Sequence, residues 1–144
     1  ADKSALLDLY LAAGGAPWVI TRGWDTPDSD PCLFVWYGVT CDDAGRVVGL
    51  ALPRNNLTGP LPPSVGQLAS LRTLDLSENF LRGAVPPPLV RIPRLRTLDL
   101  SRNLLSGHIP PALADSRELE TLRLSGNFFS GSLPAPTTGG GLGR

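Results

Sequence analysis

The sequence predicts an α/β solenoid, in which repeated turns of chain stack in one direction and form a parallel β-sheet on the concave face. Two observations lead to this prediction. The frame apolar-x-x-Leu-x-Leu-x-x-Asn-x-(Leu/Phe)-x-Gly-x-(Leu/Val/Ile)-Pro recurs every 24 residues without a slip. Its Leu-x-Leu part alternates with a period of two, as a short strand does. Because each repeat buries its apolar face only against its neighbours, the array offers a binding surface and no evident catalytic pocket.

The chain divides into three segments by composition. Residues 1–46 hold all three tryptophans, both tyrosines and both cysteines, and contain no repeat. Residues 47–134 hold four repeats, with the bounds 47–70, 71–94, 95–118 and 119–134. Residues 135–144 are mainly Pro, Thr and Gly, which predicts a flexible tail. A chain of 144 residues is long enough for one domain with an elongated core.

The first segment is predicted to cap the open end of the stack. Asp2 can accept backbone hydrogen bonds at the start of a helix over residues 3–13. Leu6 and Leu9 fall on one face of this helix, and a Gly-Gly pair ends it. A solenoid needs such a cover because the apolar end of its terminal repeat would otherwise face water.

One asparagine in each repeat is predicted to hold neighbouring turns together. A side-chain amide both donates and accepts, so it can satisfy backbone groups of its own turn and of the adjacent turn. Loss of one would leave buried backbone groups unpaired, at a cost of about 1–3 kcal/mol. These ladder asparagines are Asn55, Asn79, Asn103 and Asn127.

These motifs resemble the leucine-rich repeat family. The Leu-x-Gly-x-(Ile/Val/Leu)-Pro half is similar to the plant-type subclass, which carries a second short strand on the outer side. In residues 1–46, the Asp-Pro-Cys and Gly-Val-x-Cys motifs are similar to the caps of plant receptor ectodomains. The Gly-Gly-x-x-Trp and Trp-Tyr-Gly-Val motifs there are similar to caps of algal, protist and bacterial relatives. The resemblance implies a leucine-rich repeat solenoid with a helical, disulfide-containing N-terminal cap.

Cys32 and Cys41 are the only cysteines, and eight residues lie between them, a usual spacing for a local bridge. A disulfide would contribute on the order of 2–3 kcal/mol and would indicate an oxidising compartment. A zinc site is disfavoured because two cysteines and one histidine are too few ligands, and the spacing is not Cys-x-x-Cys. We therefore expect no metal and no cofactor. Plant receptor caps usually place the cysteines closer together, so residues 33–35 should add an apolar bump to this loop.

Asn56-Leu57-Thr58 is the only Asn-x-Ser/Thr sequence. Asn56 follows a ladder asparagine and is expected to point outward, where it could carry a glycan in a eukaryotic secretory pathway. The alternative is that this tripeptide arises from the repeat frame alone.

Candidate partner-binding residues lie between the strand leucines, on the predicted concave face. Stacked strands are about 4.8 Å apart, so equivalent residues form columns. The columns are either a polar docking face for a protein or peptide, or a solvated sheet with balanced charge. Catalysis by paired carboxylates is disfavoured because an open sheet excludes no water. The candidates are Thr73, Asp75, Glu78, Thr97, Asp99, Arg102 and Arg123.

A second candidate column follows the ladder asparagines. Phe80, Leu104 and Phe128 are expected to point outward at the edge of the concave sheet and to form an apolar ridge. Extended apolar patches on a soluble protein often mark a contact surface. The alternative is that these side chains lap over the edge of the core and are partly buried.

Composition and charge exclude several kinds of partner. The formal net charge is zero, so no electrostatic footprint for nucleic acid or an anionic membrane is present. No apolar run approaches the length of about 18 residues that a membrane span needs. No signal peptide is evident. The sequence agrees equally with a mature form and with a trimmed form of a longer protein. The apolar end of the fourth repeat needs a cover, which further protein, a second copy meeting it end to end, or the folded-back tail could supply. We therefore expect a monomer or a weak end-to-end dimer.

The resemblance implies a secreted or cell-surface module without enzymatic activity. Its expected role is recognition of a protein or peptide ligand, as a receptor or as a co-receptor beside a larger receptor. One alternative is a secreted hydrolase inhibitor similar to plant polygalacturonase inhibitors, and another is a structural, cell-wall-associated binding protein. Ice binding through Thr73, Thr97 and Thr121 is disfavoured because three threonines flanked by charged columns are too few and too rough.

Overall fold

The computed structural model of the chain describes residues 2–131, which form a solenoid with two sheets. The concave sheet contains β1 (Val39–Cys41), β2 (Val47–Ala51), β4 (Thr73–Asp75), β6 (Thr97–Asp99) and β8 (Thr121–Arg123), in the order β1-β2-β4-β6-β8. The second sheet contains β3 (Thr58–Pro60), β5 (Phe80–Gly83), β7 (Leu104–His108) and β9 (Phe128–Ser130), in the order β3-β5-β7-β9. The predicted fold class is confirmed, including the second strand of each repeat.

The concave sheet keeps the register of the sequence. Leu74 pairs with Leu98, and Leu98 pairs with Leu122, so each parallel pairing is offset by one repeat. Only β1 runs antiparallel, and it extends the sheet with a strand from the cap. The 24-residue period therefore fixes which side chains lie opposite one another.

Both sheets line one core. Because strand residues alternate between faces, the middle residue of β4, β6 and β8 is a buried leucine. The second sheet contributes a further leucine from each of three repeats, and the outer side contributes short helical segments. The latter are the 3₁₀ helix Pro63–Gln67, α2 (Pro87–Val90) and the 3₁₀ helix Pro111–Asp115. Each begins with a proline, whose missing N–H costs nothing at a helix start. Buried core residues include Leu50, Leu74, Leu98, Leu57, Leu81, Leu105, Val65, Leu89 and Leu113.

The ladder asparagines make the predicted hydrogen bonds between turns. The Oδ1 atom of Asn79 accepts from the backbone N–H groups of Asn55 and Leu57, at 2.9 and 3.0 Å. Its Nδ2 atom donates to the carbonyl oxygens of Leu52 and Leu76, one in the preceding turn and one in its own. One buried amide therefore closes its own turn and binds it to the turn before.

The same arrangement recurs at each end of the stack with different partners. Asn127 donates to Leu100 and Leu124 and accepts from the N–H of Leu105. Asn55 has no preceding repeat, and it exchanges two hydrogen bonds with the backbone of Ile20 in the cap. The cap thus provides the backbone groups that a preceding repeat would otherwise supply.

The cap packs around three tryptophans. Trp18 and Trp24 lie 5.0 Å apart between ring centroids, and Trp24 and Trp36 lie 5.3 Å apart. Each indole N–H donates to a neighbour in the cap, so these large side chains are buried without an unpaired donor. The helix α1 (Asp2–Ala12) adds buried leucines to the same core. No helix within residues 2–131 has the length and hydrophobicity to cross a bilayer.

The predicted role of Asp2 is wrong. The helix begins at Asp2 instead of Lys3, and the Asp2 carboxylate accepts from the backbone N–H of Val47 at 2.9 Å. Val47 is the first residue of β2 and pairs with Cys41 of β1. Asp2 therefore ties the cap helix to the first repeat.

The residue before each ladder asparagine has a left-handed backbone. Arg54, Glu78 and Arg102 have φ values of 50°, 55° and 57°, and Gly126 has 73° in the fourth repeat. An L-residue pays roughly 1–2 kcal/mol to adopt this conformation. The turn requires the left-handed conformation because the next residue, the ladder asparagine, must point its side-chain amide into the stack. Among the four repeats, only the fourth has a glycine at this position.

We predict that a ladder asparagine contributes more to the stability of the fold when it is more deeply buried and makes more hydrogen bonds. Asn79→Ala should lower the free energy of unfolding by about 2–4 kcal/mol, because it leaves backbone groups of two turns unpaired. The half-buried Asn127 should lose clearly less on the same substitution. Urea unfolding measures both. Equal losses for the two variants would contradict the ladder as the source of the effect.

We also predict a backbone effect at Arg102. Arg102→Gly should change the free energy of unfolding by less than about 0.5 kcal/mol, since relief of the left-handed conformation offsets the added freedom of the unfolded chain. Arg102→Val should destabilise by about 1–2 kcal/mol, because a β-branched residue tolerates positive φ poorly. Thermal unfolding of the two variants tests the difference. A glycine variant less stable than the valine variant would refute it.

Candidate functional site

The concave sheet presents two columns of side chains in direct register. Thr73 pairs with Thr97 and Thr97 with Thr121, and these threonines are exposed or half-buried. Asp75 pairs with Asp99, and Asp99 pairs with Arg123. The structure thus places these predicted residues side by side on one open face. Their role in binding a partner stays a prediction.

The two column carboxylates are engaged within their own turns. Asp75 accepts from the backbone N–H of Ser77 at 3.0 Å and from its hydroxyl at 2.6 Å. Asp99 makes the same two bonds to Ser101. Among the described residues neither carboxylate forms an ion pair, although Arg123 lies opposite Asp99. In both residues the two bonds go to Oδ1, so the carboxylates help to shape the turn.

A charged column borders this face. The Nε of Arg54 lies 2.9 Å from Oε2 of Glu78, and this hydrogen bond raises the pKa of Arg54. Arg102 continues the column one repeat further and has no ion pair with another described residue. The charges of Arg54, Glu78 and Arg102 therefore alternate in sign along the column, and Arg102 is available to a ligand.

The predicted apolar ridge lies elsewhere than expected. Phe80, Leu104 and Phe128 stand on the outward face of the second sheet, not at the edge of the concave sheet. Their side chains are between 45% and 69% exposed, so they are not covered by the core. We call these three residues the outer stripe.

The outer stripe is staggered. Phe80 pairs with Thr58, Leu104 with Arg82, and Phe128 with Ser106, because strands of the second sheet pair with a shift of two residues relative to the repeat. A polar residue therefore lies directly opposite each apolar one. Successive stripe residues are diagonal neighbours, within reach of large side chains.

Asn56 is not an outward residue of this column. It is half-buried with φ of 61°, and its Nδ2 donates to the carbonyl oxygen of Pro17 at 3.0 Å. Its side chain therefore helps to fasten the cap to the first repeat. Glycosylation at Asn56 stays a prediction.

The predicted disulfide between Cys32 and Cys41 is present, with Cα atoms 5.7 Å apart. It joins Cys32, in the loop before β1, to Cys41 at the end of β1. The next residues, Leu33, Phe34 and Val35, are between 58% and 78% exposed. We call these three residues the cap tip. They form the apolar bump expected from the longer spacing of the cysteines.

The cap tip is held in an unfavourable backbone conformation. Val35 has φ of 46°, which for a β-branched residue is a genuine outlier. The Asp30 carboxylate accepts from the N–H groups of Cys32 and Leu33 at 2.8 and 3.1 Å. These hydrogen bonds and the disulfide fix the start of the loop. Val35 therefore keeps its strained backbone conformation while its side chain stays exposed.

The described part of the chain offers no group for metal or redox chemistry. No cluster of His, Cys, Asp or Glu within residues 2–131 could hold a metal ion. Both cysteines are in the disulfide. Leu133, Pro134 and the predicted flexible tail, residues 135–144, lie outside the described residues.

Comparison with known protein families agrees with this geometry. A leucine rich repeat model matches residues 46–105, a leucine rich repeat N-terminal domain matches residues 1–42, and a further leucine rich repeat matches residues 118–139. In a complex of BIR3 and SERK2 from Arabidopsis thaliana, one chain is 33% identical with a TM-score of 0.77. The match covers 93% of this chain and 73% of that one. The chain belongs to the leucine-rich repeat family.

Two further relatives of this leucine-rich repeat protein come from receptor kinases or their complexes. The Arabidopsis HAESA complex with the peptide hormone IDA and co-receptor SERK1 contains a chain that is 33% identical, with a TM-score of 0.80; the match covers 92% of this chain and 22% of that one. The probable inactive receptor kinase RLK902 of Arabidopsis thaliana is 47% identical over 77 residues, which is 53% of this chain. The chain spans 11% of RLK902, so the activity of that whole protein does not transfer directly.

Sequence reasoning missed two contacts that anchor the cap. The Asp2–Val47 and Asn56–Pro17 hydrogen bonds carry no periodic signal, because each joins a residue of the irregular cap to the first repeat. It also missed the left-handed residue of each turn, although the glycine at position 126 hints at it.

Removal of the disulfide should destabilise the cap. The double variant Cys32→Ser/Cys41→Ser should lower the free energy of unfolding by about 2–3 kcal/mol, because the unfolded chain regains the freedom of the closed loop. Urea unfolding under oxidising conditions gives the value, and Ala44→Ser in the neighbouring exposed turn is the control. A loss no larger than that of the control would show that the bridge adds no stability.

Proposed function

We propose that this chain is an extracellular module that binds a protein or peptide ligand without catalysis, as part of a receptor or co-receptor. The observation that carries the proposal is the pair of in-register polar columns on an open concave sheet. Receptor-kinase ectodomains that share the fold support it, since one such structure contains a peptide hormone and a co-receptor.

The spacing of the columns suits an extended ligand. Neighbouring strands lie about 4.8 Å apart, so a chain laid across them meets a similar side chain at each step. The threonines offer hydroxyl donors and acceptors, and Arg123 and Arg102 offer charged donors at the far end. Such a ligand can be held by many weak, regularly placed contacts without an enclosing pocket.

The size of the face favours a shared ligand. Four strands of the repeats span only roughly 15 Å, whereas a standard interface uses about 800 Å² of each partner. A tight complex therefore needs the outer stripe or the cap as well as the sheet. This requirement favours a bridging role, in which the ligand also contacts a larger receptor.

An extracellular location is part of the proposal. The disulfide in the cap is stable in an oxidising compartment and would be reduced in the cytosol. The homologous solved structures include a receptor-kinase ectodomain. Both observations support secretion or display at the cell surface.

The test begins with capture from the extracellular fluid of the source organism, followed by recombinant production of the captured partner and titration calorimetry. Thr97→Arg fills the centre of the concave sheet and should weaken binding by roughly tenfold or more. Gln67→Arg, in the exposed part of the outer 3₁₀ helix Pro63–Gln67, adds the same single positive charge and is the control, which should bind as the wild type does.

The double variant Phe80→Asp/Phe128→Asp tests whether the outer stripe takes part. Unchanged affinity for both Thr97→Arg and this double variant would contradict the proposal. If the captured partner is instead a hydrolase that loses activity when bound, the inhibitor hypothesis replaces the receptor one.

A further inference from the structure

Two exposed apolar surfaces on this chain carry opposite charge. The cap tip, Leu33, Phe34 and Val35, projects from the cap, and the outer stripe, Phe80, Leu104 and Phe128, lies across the second sheet. Neither is covered by any other described part of the chain. Each contains three large side chains, which is more than scattered surface residues would give.

The surroundings of the cap tip are acidic. Residues 1–46 contain seven acidic and three basic side chains. Asp28, Asp30 and Asp43 are exposed near the tip and form no ion pair with another described residue. Asp30 holds the loop through its backbone bonds, and the sulfur of Cys32 lies 3.4 Å from the carbonyl oxygen of Gly45, which places the Asp43 turn beside the loop.

The charge beside the outer stripe is positive. Arg82 lies directly opposite Leu104 in the second sheet, is exposed, and has no ion pair with another described residue. A basic side chain therefore stands inside the apolar stripe.

The cap tip cannot occupy the outer stripe of its own molecule. The disulfide fixes Cys32 to the end of β1, which pairs with β2 in the concave sheet. The stripe lies on the other sheet, in the second to fourth repeats. The complementary surface must come from another molecule.

We propose that the cap tip of one copy docks on the outer stripe of a second copy, with the cap carboxylates facing Arg82. The charge complementarity of the two surfaces and their equal apolar content favour a second copy as the occupant. The proposal rests on the proposed function only in treating the outer stripe as a protein contact surface.

This contact joins two different surfaces, so it is head-to-tail. A head-to-tail contact leaves a free tip and a free stripe on every pair, and longer chains of copies can form. The surfaces are small, which places the contact among weak interfaces. The opposite charges make it sensitive to salt, since exposed charges are screened as ionic strength rises. On this proposal, the backbone strain at Val35 is the energetic cost of holding the apolar cap tip in an exposed position.

Sedimentation equilibrium of the full chain over a range of concentrations tests the proposal. The wild type should show a mass that rises with concentration beyond that of a dimer, and added salt should lower it. Phe34→Asp and Phe80→Asp/Phe128→Asp should each be monomeric. Leu11→Asp, which removes an exposed leucine of the cap helix outside both surfaces, is the matched control and should associate as the wild type does.

Mixing decides the geometry of the contact. An equal mixture of Phe34→Asp, which keeps its stripe, with Phe80→Asp/Phe128→Asp, which keeps its tip, should form dimers and nothing larger. Arg82→Glu should weaken association of the otherwise wild-type chain by roughly tenfold. Circular dichroism confirms that each variant is folded.

Several results would overturn the proposal. These are a wild type that stays monomeric at every concentration, a mixture that stays monomeric, or association that survives in either apolar variant. Binding of the captured ligand to the concave sheet is measured separately with Thr97→Arg. Its retention in Phe34→Asp would show that the failure of self-association leaves the proposed function intact.

Discussion

The hydrogen bonds of the ladder asparagines are the interaction on which the rest of the structure depends. Strands three residues long, as β4, β6 and β8 are, cannot hold a sheet by themselves. Each ladder amide adds bonds inside one turn and to the turn before, in a buried site where water cannot replace it. The stacking distance, the register of the sheet and the position of every surface column follow from this contact.

That register divides the molecule into surfaces with different origins. The threonine and aspartate columns are exposed because the strand alternation that buries the leucines places them on the other face. The cap tip and the outer stripe have no such structural reason to be apolar. In the cap tip, Val35 has a left-handed backbone conformation, in which asparagine or glycine would be less strained. Apolar residues at exposed positions are therefore a second indication of recognition, independent of the polar columns of the concave sheet.

Periodicity predicted the inside and outside of each repeat because burial follows the repeat directly. The Leu-x-Leu pattern predicts that Leu74 and Leu98 point inward, the ladder position predicts the same for Asn79, and the structure buries all three. Phe80 lies on the second sheet and not at the predicted edge of the concave sheet. The repeat pattern does not encode this, because the turn geometry sets the two-residue register shift of the second sheet. The conformation of Glu78 was missed because glutamate has no preference for positive φ. The role of Asp2 depends on where the cap helix docks, which is a matter of tertiary packing.

The central claim is that each ladder amide directly protects the backbone groups of its neighbouring turns. Hydrogen exchange of single amides in the wild type and in Asn79→Ala tests it most directly, under conditions where both are fully folded. The backbone N–H groups of Asn55 and Leu57, which donate to Asn79, should exchange much faster in the variant, whereas that of Leu105, which donates to Asn127, should keep its protection. Unchanged protection at Asn55 and Leu57, or an equal loss at all three amides, would contradict the account.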